Sequence, residues 1–249
     1  MFDLYQFATE DLIYLAIGAF LIGVEKAGLK GLSMIAVSLY AIALGGKASA
    51  GLLLLLFMLA DVFAVRYYYQ EAQAKLIKQL LGPAIIGLLI GGVMGNMMDD
   101  ALFKNMIAII ILLCLGLMAW PRFMVTSDAK TNSFGPIIIG LLAGFGTMIA
   151  NVSSPILAIY LLALQLPKKQ FIGTIVWFFF IINFLKLPFH IWSWHTITWA
   201  TCSTALMAIP VIALGFGMGL WLIKRIGEQS FRYLIIGVTL IAAVRLLFG

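Results

Sequence analysis

Charged residues are scarce in this chain: Asp, Glu, Lys and Arg make up 10% of its 249 residues, whereas a soluble domain carries about 25%. No polar stretch exceeds roughly a dozen residues, so no soluble domain of ordinary size can be separated from the rest. With 63% hydrophobic residues and a mean hydropathy of +1.10, the sequence predicts a polytopic α-helical membrane protein.

The motifs of common enzymes and of nucleotide-driven pumps are also missing. The sequence has no His-Glu-x-x-His, Gly-x-Ser-x-Gly or Walker pattern and no paired catalytic carboxylates. Cys114 and Cys202 lie in separate apolar segments without C-x-x-C spacing, which favours buried free thiols over a disulfide or a metal site. We therefore expect no enzyme activity and no cofactor, and any active transport would need an ion gradient.

The net charge of +6 does not indicate a nucleic-acid partner, because the aromatic residues are spread through the apolar runs and do not interleave with a basic patch. The basic residues instead separate by side when the apolar runs are counted as membrane spans. Cytoplasmic loops are rich in Lys and Arg. The larger set is therefore expected in the cytoplasm, with both termini on the outer or periplasmic side of the inner cell membrane. The larger set is Arg66, Lys75, Lys78, Arg122, Lys130, Lys168, Lys169, Lys224, Arg225 and Arg232, and the smaller is Lys47, Lys104 and Arg245.

Ten apolar segments divide the chain into two halves. Residues 1–11 are predicted to form a polar cap, 12–120 a first transmembrane repeat, 121–134 a linker and 135–249 a second repeat, with residues 70–80 a polar amphipathic connection. The start of the chain has no basic n-region, so no cleaved signal peptide is expected. The predicted segments are Leu12–Val24, Leu32–Leu44, Ser49–Tyr69, Leu81–Met98, Phe103–Trp120, Pro136–Ala150, Pro155–Leu164, Phe171–Ile191, Trp199–Ile223 and Phe231–Phe248.

One stretch, from Gly140 to Pro188, contains an apolar run that is interrupted at Asn151-Val152-Ser153-Ser154-Pro155. Each apolar piece of the run is too short to cross a bilayer of about 30 Å. The pattern predicts two half-helices whose ends meet inside the membrane, where N–H groups at a helix start and the Asn and Ser side chains favour an anion. The alternative is an ordinary loop between two short helices near the surface.

The two halves resemble each other at a constant spacing. A shift of 122 residues places Asp61 on Asn183 and the charged interruption Glu25–Gly31 on Thr147–Ser153. Because each half has an odd number of segments, the halves start from opposite sides, which predicts inverted repeats. Paired interruptions in matching halves are typical of transporters with a site near the bilayer midplane. The same shift aligns Lys47 with Lys169, Gly51 with Gly173 and Phe57 with Phe179.

Polar residues within the predicted spans are the candidate site residues, because ionisable groups are costly in a membrane and usually functional. Lys26 is predicted to bind an anionic group, with an ion pair to Glu25 as the alternative. Asp61 is a candidate for carrying a coupling proton, for an ion pair with Lys26 or Lys186, or for a packing hydrogen bond. Lys186 either binds substrate or extends to the membrane interface. The predicted substrate-binding set is Lys26, Gly28, Thr147, Asn151, Ser153, Ser154, Thr174, Asn183 and Lys186.

Short motifs in both halves occur in one order and spacing: Gly23-x-x-Lys26-x-Gly28-x-x-Gly31, Ala60-Asp61, Gly144-Phe145-x-Thr147, Leu166-Pro167-Lys168, Phe171-x-Gly173-Thr174 and Asn183-x-x-Lys186-Leu187-Pro188. Over most of its length, from Leu15 to Leu246, the chain resembles the TauE/SafE family of membrane proteins, which are implicated in exporting sulfite and organosulfonates. The resemblance implies a small sulfur-containing anion as substrate. This chain has Asn151-Val152-Ser153-Ser154 where the resemblance leads us to expect a glycine-rich tip, so the exact substrate is not fixed.

These features predict an all-α polytopic membrane protein with two inverted repeats, whose broken half-helices meet at the midplane. The predicted function is secondary transport of small sulfur-containing anions, such as sulfite or organosulfonates, by alternating access, with export expected from the resemblance. The alternatives are a transporter of another small anion such as a carboxylate, a passive anion channel and a non-transporting membrane assembly subunit. The expected partners are the small anionic substrate, the lipid bilayer and a coupling ion (H+).

Overall fold

The part of the chain that the structure describes is helical, as predicted. The structure is a computed structural model that describes residues 9–119, 135–164, 166–223 and 225. A π-helical turn, Phe189–Ser193, continues α8 directly. The α-helices are α1 (Thr9–Lys26), α2 (Leu32–Leu44), α3 (Gly46–Tyr68), α4 (Ala74–Met97), α5 (Asp100–Ala119), α6 (Gly135–Ala150), α7 (Ser154–Ala163), α8 (Lys168–Pro188), α9 (Trp199–Met207) and α10 (Ile209–Leu222).

Three helical segments among the described residues are long and apolar enough to cross a membrane: Gly46–Tyr68, Ala74–Met97 and Lys169–Ser193. A fourth span results if α9 and α10, which are bent by 44° relative to each other, are counted as one. Large apolar side chains such as Val93 and Leu214 are exposed on these helices. In a membrane such surfaces contact lipid, so the fold confirms the prediction of a multi-pass helical membrane protein.

Each half contains a helix pair that is broken where the sequence predicts it. The break between α1 and α2 contains Gly28 and Gly31, whose φ angles are 131° and 105°. The break between α6 and α7 begins at Asn151, which has a φ of 52°. Glycine and, less readily, asparagine tolerate positive φ, so residue type explains both interruptions. Pro155 lies in the first turn of α7, where its missing N–H is not needed.

The two halves pack on each other reciprocally. The first helix of each half lies along a late helix of the other, α1 on α10 and α6 on α4, while α3 packs against α8. A Cβ atom added to Gly87 would lie 2.0 Å from the carbonyl oxygen of Leu141, and one added to Gly23 would lie 2.2 Å from that of Ile212. Glycine therefore lets the paired backbones touch, as small residues do between membrane helices.

Two predicted boundaries are wrong. Residues 70–80, predicted as a connection, are largely helical, because α4 begins at Ala74. The segment Trp199–Ile223, predicted as one span, is divided at Ala208 into α9 and α10. Pro210 explains the division, because its nitrogen cannot donate to the preceding turn and it starts a helix readily.

Other predictions concern residues beyond the described ranges. The predicted segment Phe231–Phe248, the linker at 121–134 and most of the cap at 1–11 lie outside the described residues. Both cysteines are free, Cys114 being buried and Cys202 half-buried, so the prediction of free thiols is confirmed, although only one of them is fully buried.

Candidate functional site

A small cavity lies where the two breaks meet, in the interior of the described part of the chain. Its volume is about 20 Å³, which is room for about one water molecule. All of its lining residues except Glu25, Phe57 and Phe179 belong to the predicted substrate-binding set. The lining residues are Glu25, Lys26, Phe57, Thr147, Asn151, Ser153, Ser154, Phe179 and Asn183.

Lys26 is held in one wall of the cavity by an ion pair. Its Nζ donates to the Asp61 carboxylate, and Asp61 also accepts a 2.7 Å hydrogen bond from Nδ2 of Asn183. The rings of Phe57 and Phe179 lie 5.2 and 5.8 Å from Nζ, within cation–π range. All five side chains are buried. Of the roles predicted for Asp61, the structure therefore contains two: the ion pair with Lys26, which balances the lysine's charge, and a packing hydrogen bond with Asn183 on α8.

Lys186 brings a second buried amine to the centre, behind the cavity wall. Its Nζ donates to Oδ1 of Asn151 and lies 3.5 Å from Oγ1 of Thr147. Nδ2 of Asn151 in turn donates a 3.2 Å hydrogen bond to the carbonyl oxygen of Ala50. Among the described residues, no carboxylate oxygen lies within 4.0 Å of Lys186 Nζ. Because Lys186 is fully buried, the predicted alternative in which it extends to the membrane interface is wrong.

Glu25 connects the two breaks. One carboxylate oxygen accepts a 2.9 Å hydrogen bond from the hydroxyl of Ser154, at the start of α7. The other accepts a hydrogen bond from the backbone N–H of Ser33, in the first turn of α2. The alternative ion pair between Glu25 and Lys26 is not formed, because Lys26 is paired with Asp61. A carboxylate of the protein thus occupies two helix starts, which are positions that favour negative charge.

Ser153 places a further hydroxyl at the cavity. The residue is buried, and its Oγ has no hydrogen-bond partner among the described residues. Buried polar atoms almost always have a partner in the protein, in water or in a ligand. A donor of this kind, beside a cavity and next to the start of α7, is suited to a polar ligand.

Two predicted binding residues lie away from the cavity. Thr174 is buried near the start of α8, where its Oγ1 accepts a 3.0 Å hydrogen bond from the backbone N–H of Gln73. Gly28 turns the first break, and a Cβ added there would collide with Ile172 and Ile223. In this structure Thr174 therefore holds the connection that precedes α4 by a hydrogen bond. Gly28 supplies a backbone conformation that other residues adopt only with strain.

The sequence prediction missed three lining residues. It considers Glu25 only as a partner of Lys26, and it uses Phe57 and Phe179 only to align the two halves. A signal for the aromatic pair was present, because Asp61 and Asn183 each follow one of these phenylalanines by four residues. Residues four apart share a helix face. No comparable local signal existed for Glu25, because Ser154 belongs to the other half of the chain.

Comparison with known proteins identifies one family that matches most of the chain. The family model described as sulfite exporter TauE/SafE matches residues 15–246, which include both breaks and every residue that lines the cavity. No curated protein and no solved structure matches the chain. Members of the matched family are membrane transporters and not enzymes. This multi-pass membrane protein belongs to the TauE/SafE sulfite exporter family.

Proposed function

We propose that the chain is a secondary transporter of small sulfur-containing anions, such as sulfite or an organosulfonate, and that it works by alternating access. The observation that carries the proposal is the cavity between the two broken helix pairs, where the Lys26 amine, the Asn151 amide and the Ser153 hydroxyl converge. Broken helices that meet inside a bundle are typical of ion-coupled transporters, and helix starts bind anions. Family membership supports a sulfur oxyanion as substrate and export as the direction.

The distribution of charge favours Lys186 over Lys26 as the main cation for the anion. The charge of Lys26 is balanced by Asp61. Lys186 has only uncharged hydrogen-bond partners among the described residues, and both of them, Thr147 and Asn151, line the cavity. An anion bound at these two side chains would approach an amine that no carboxylate balances, and charge-assisted hydrogen bonds are the stronger kind.

Alternating access requires two states of the same site, and inverted repeats supply them by exchanging the roles of the two halves. The reciprocal packing of α1 on α10 and of α6 on α4 supports this arrangement. The basic loops support a cytoplasmic position for Lys75 and Lys169, with the termini outside. A proton is the proposed coupling ion, since Glu25 and Asp61 are the buried carboxylates of the described residues.

Flux measurements on reconstituted protein test this function. Liposomes that contain the purified chain should take up labelled sulfite and isethionate, with saturation and with dependence on a proton gradient. Lys186→Met should lose the uptake, whereas Lys169→Met, which alters an exposed lysine of the same helix, should keep it. Flux that never saturates and ignores the gradient would indicate a channel. Uptake of carboxylates alone would indicate another anion transporter, and absence of any flux a non-transporting subunit.

A further inference from the structure

Glu25 is bonded in the way that a bound anion is bonded. Its two carboxylate oxygens accept hydrogen bonds from the Ser154 hydroxyl and from the backbone N–H of Ser33, one donor from each broken helix pair. Hydroxyl and N–H groups at helix starts are the donors that such sites offer to oxyanions. Both partners are uncharged, whereas Asp61, the other buried carboxylate of the described residues, is paired with Lys26.

The space around Glu25 is too small for a substrate in this state. The cavity of about 20 Å³ accepts about one water molecule, whereas a sulfite or sulfonate group has several non-hydrogen atoms. Glu25 and Ser153 line the same cavity. If the Glu25 side chain moved away, the donors of Ser154 and Ser33 would become available beside the Ser153 hydroxyl, which has no partner among the described residues. The Glu25 carboxylate therefore occupies a position in which an oxyanion could accept hydrogen bonds from Ser154, Ser33 and Ser153.

The charges around the cavity limit how an anion can replace the Glu25 carboxylate. Glu25 and Lys26 of the same helix both line the cavity, and Lys30 follows in the connection to α2. Asp61 on α3 is paired with Lys26, and Lys186 on α8 contacts the cavity-lining residues Thr147 and Asn151. An anion that entered beside an ionised Glu25 would meet a like charge in a buried place, where repulsion is strong. A protonated Glu25 removes that repulsion. Its hydroxyl oxygen also becomes a donor and a much weaker acceptor, so one of the two hydrogen bonds that hold Glu25 in place is weakened.

We propose that the Glu25 carboxylate occupies the position of the substrate oxyanion, and that it takes up a proton and leaves this position when the anion binds. Each anion that binds is then accompanied by one proton. The proposal deepens the proposed function, on which it rests, by assigning the coupling proton to Glu25. It replaces Asp61 in this role, because protonation of Asp61 would break the ion pair with Lys26.

Calorimetric titration of the purified full-length chain with isethionate tests this assignment. Isethionate is the anion of a strong acid and keeps its charge, so any pH dependence of binding belongs to the protein. For wild type, the affinity should rise as the pH falls, by at most about tenfold for each pH unit, because one linked proton gives that limiting slope. Titrations in buffers of different ionisation enthalpy should report uptake of about one proton per isethionate.

Glu25→Gln should bind isethionate without pH dependence, and more tightly than wild type at about pH 8, because an amide presents its NH2 group to one of the two donors and lacks the charge. Glu71→Gln is the matched control, since Glu71 lies at the surface near Lys169, and it should keep the wild-type slope. Glu25→Asp replaces Glu25→Gln as the test variant if the latter does not fold. The shorter aspartate side chain should not reach both Ser154 and Ser33, so it competes less well with the anion for these donors. The Glu25→Asp variant should therefore bind isethionate more tightly than wild type at about pH 8.

Several results would overturn the assignment of the proton to Glu25 while leaving the proposed function intact. One is that wild type binds isethionate without proton uptake, and another is that Glu25→Gln keeps the wild-type pH dependence of affinity. A third is that the pH dependence is lost only in Asp61→Asn, and a fourth is that Glu25→Asp binds no more tightly than wild type at about pH 8. Failure of wild type to bind isethionate at every pH would instead overturn the sulfonate transport function, and the Glu25 assignment with it.

Discussion

Asn183 donates a 2.7 Å hydrogen bond to Asp61, which precedes it by 122 residues. This is the spacing at which the sequence aligns the two predicted halves, so two residues that are predicted to be equivalent touch in the buried centre. Phe57 and Phe179, which have the same spacing, flank the Lys26 amine together. An amide at the second position lets Asp61 hold Lys26, whereas a second carboxylate there would repel it. The two aligned residues thus occupy neighbouring positions but differ in charge, and only Asp61 pairs with Lys26.

Lys26→Met should destabilise the protein much more than Lys186→Met. Without Lys26, Asp61 is left as a buried carboxylate without its ion-pair partner, and loss of one partner of such a pair costs about 3–5 kcal/mol. Without Lys186, only the uncharged partners Asn151 and Thr147 are left, so the free energy of unfolding should fall much less. Thermal unfolding of the purified variants measures the difference, and isethionate binding should be lost in Lys186→Met.

The double variant Lys26→Met/Asp61→Leu is the control for this comparison. It removes both charges of the buried pair, and apolar replacement of a whole pair is often neutral or stabilising. Its unfolding temperature should therefore return toward that of wild type. A Lys26→Met variant as stable as Lys186→Met would contradict the ion-pair account.

Ser153→Ala should weaken anion binding without affecting the fold. The Ser153 hydroxyl has no hydrogen-bond partner among the described residues, so its removal breaks no hydrogen bond there. A hydrogen bond to a charged group contributes about 1.5–3 kcal/mol, which corresponds to a loss of roughly tenfold or more in affinity for isethionate. Ser38→Ala is the matched control, because Ser38 is buried and its hydroxyl donates to the Met34 carbonyl oxygen. Equal affinities of Ser153→Ala and wild type would show that this hydroxyl does not contact the anion.

Asn151 is less suitable for such a test than the sequence predicts. Its position at a buried helix start predicts that Asn151→Leu weakens binding without unfolding the protein. In the structure the amide holds Lys186 and the carbonyl oxygen of Ala50, and the residue has a φ of 52°. Leucine would remove both contacts and would be strained at that φ, so Asn151→Leu should also destabilise the protein.

Local chemistry made the two breaks predictable from the sequence. Gly28, Gly31 and Asn151 tolerate positive φ, and Pro155 starts a helix, so these four residues indicate both interruptions without knowledge of the fold. The bend at Ala208 was missed, although Pro210 was visible in the sequence, because the apolar run continues through it. Periodicity alone does not separate a straight span from a bent one.

The partners of the buried polar groups were not predictable in the same way. The sequence leaves three roles open for Asp61, and in the structure Asp61 forms both the ion pair with Lys26 and a packing hydrogen bond with Asn183. Glu25 and Ser154 are 129 residues apart, and no local pattern joins them. Thr174 resembled a binding residue by its motif, yet the fold turns it toward the backbone of Gln73. Long-range contacts of this kind depend on how the halves pack, which a single sequence does not specify.

Gly87→Ala should destabilise the packing of α4 on α6. The new Cβ would lie 2.0 Å from the carbonyl oxygen of Leu141, so the helices would have to separate, and overpacking of this kind costs about 1–3 kcal/mol. Gly82→Ala is the control on the same helix, because a Cβ at Gly82 meets nothing within 4 Å. Alanine favours a helix by about 1 kcal/mol over glycine, so its unfolding temperature should stay the same or rise. Equal unfolding temperatures of the two variants would contradict the close contact between α4 and α6 at Gly87.

Lys47 and Lys169 should lie on opposite sides of the membrane. They are 122 residues apart, at the starts of α3 and α8, so the predicted repeat makes them equivalent positions of the two halves. Inverted repeats place equivalent positions on opposite sides, whereas parallel repeats place them on the same side. The basic loops predict that Lys169 is cytoplasmic and Lys47 external.

Cysteine labelling of intact cells measures this directly, in a chain whose native cysteines are replaced by Cys114→Ala and Cys202→Ser. A membrane-impermeant maleimide should label Lys47→Cys and leave Lys169→Cys unlabelled until the cells are opened. Labelling of both after opening excludes burial as the cause, because Lys47 is half-buried and Lys169 exposed. If both cysteines react from the same side, the halves are not inverted. The site would then need a mechanism in which one half alone moves.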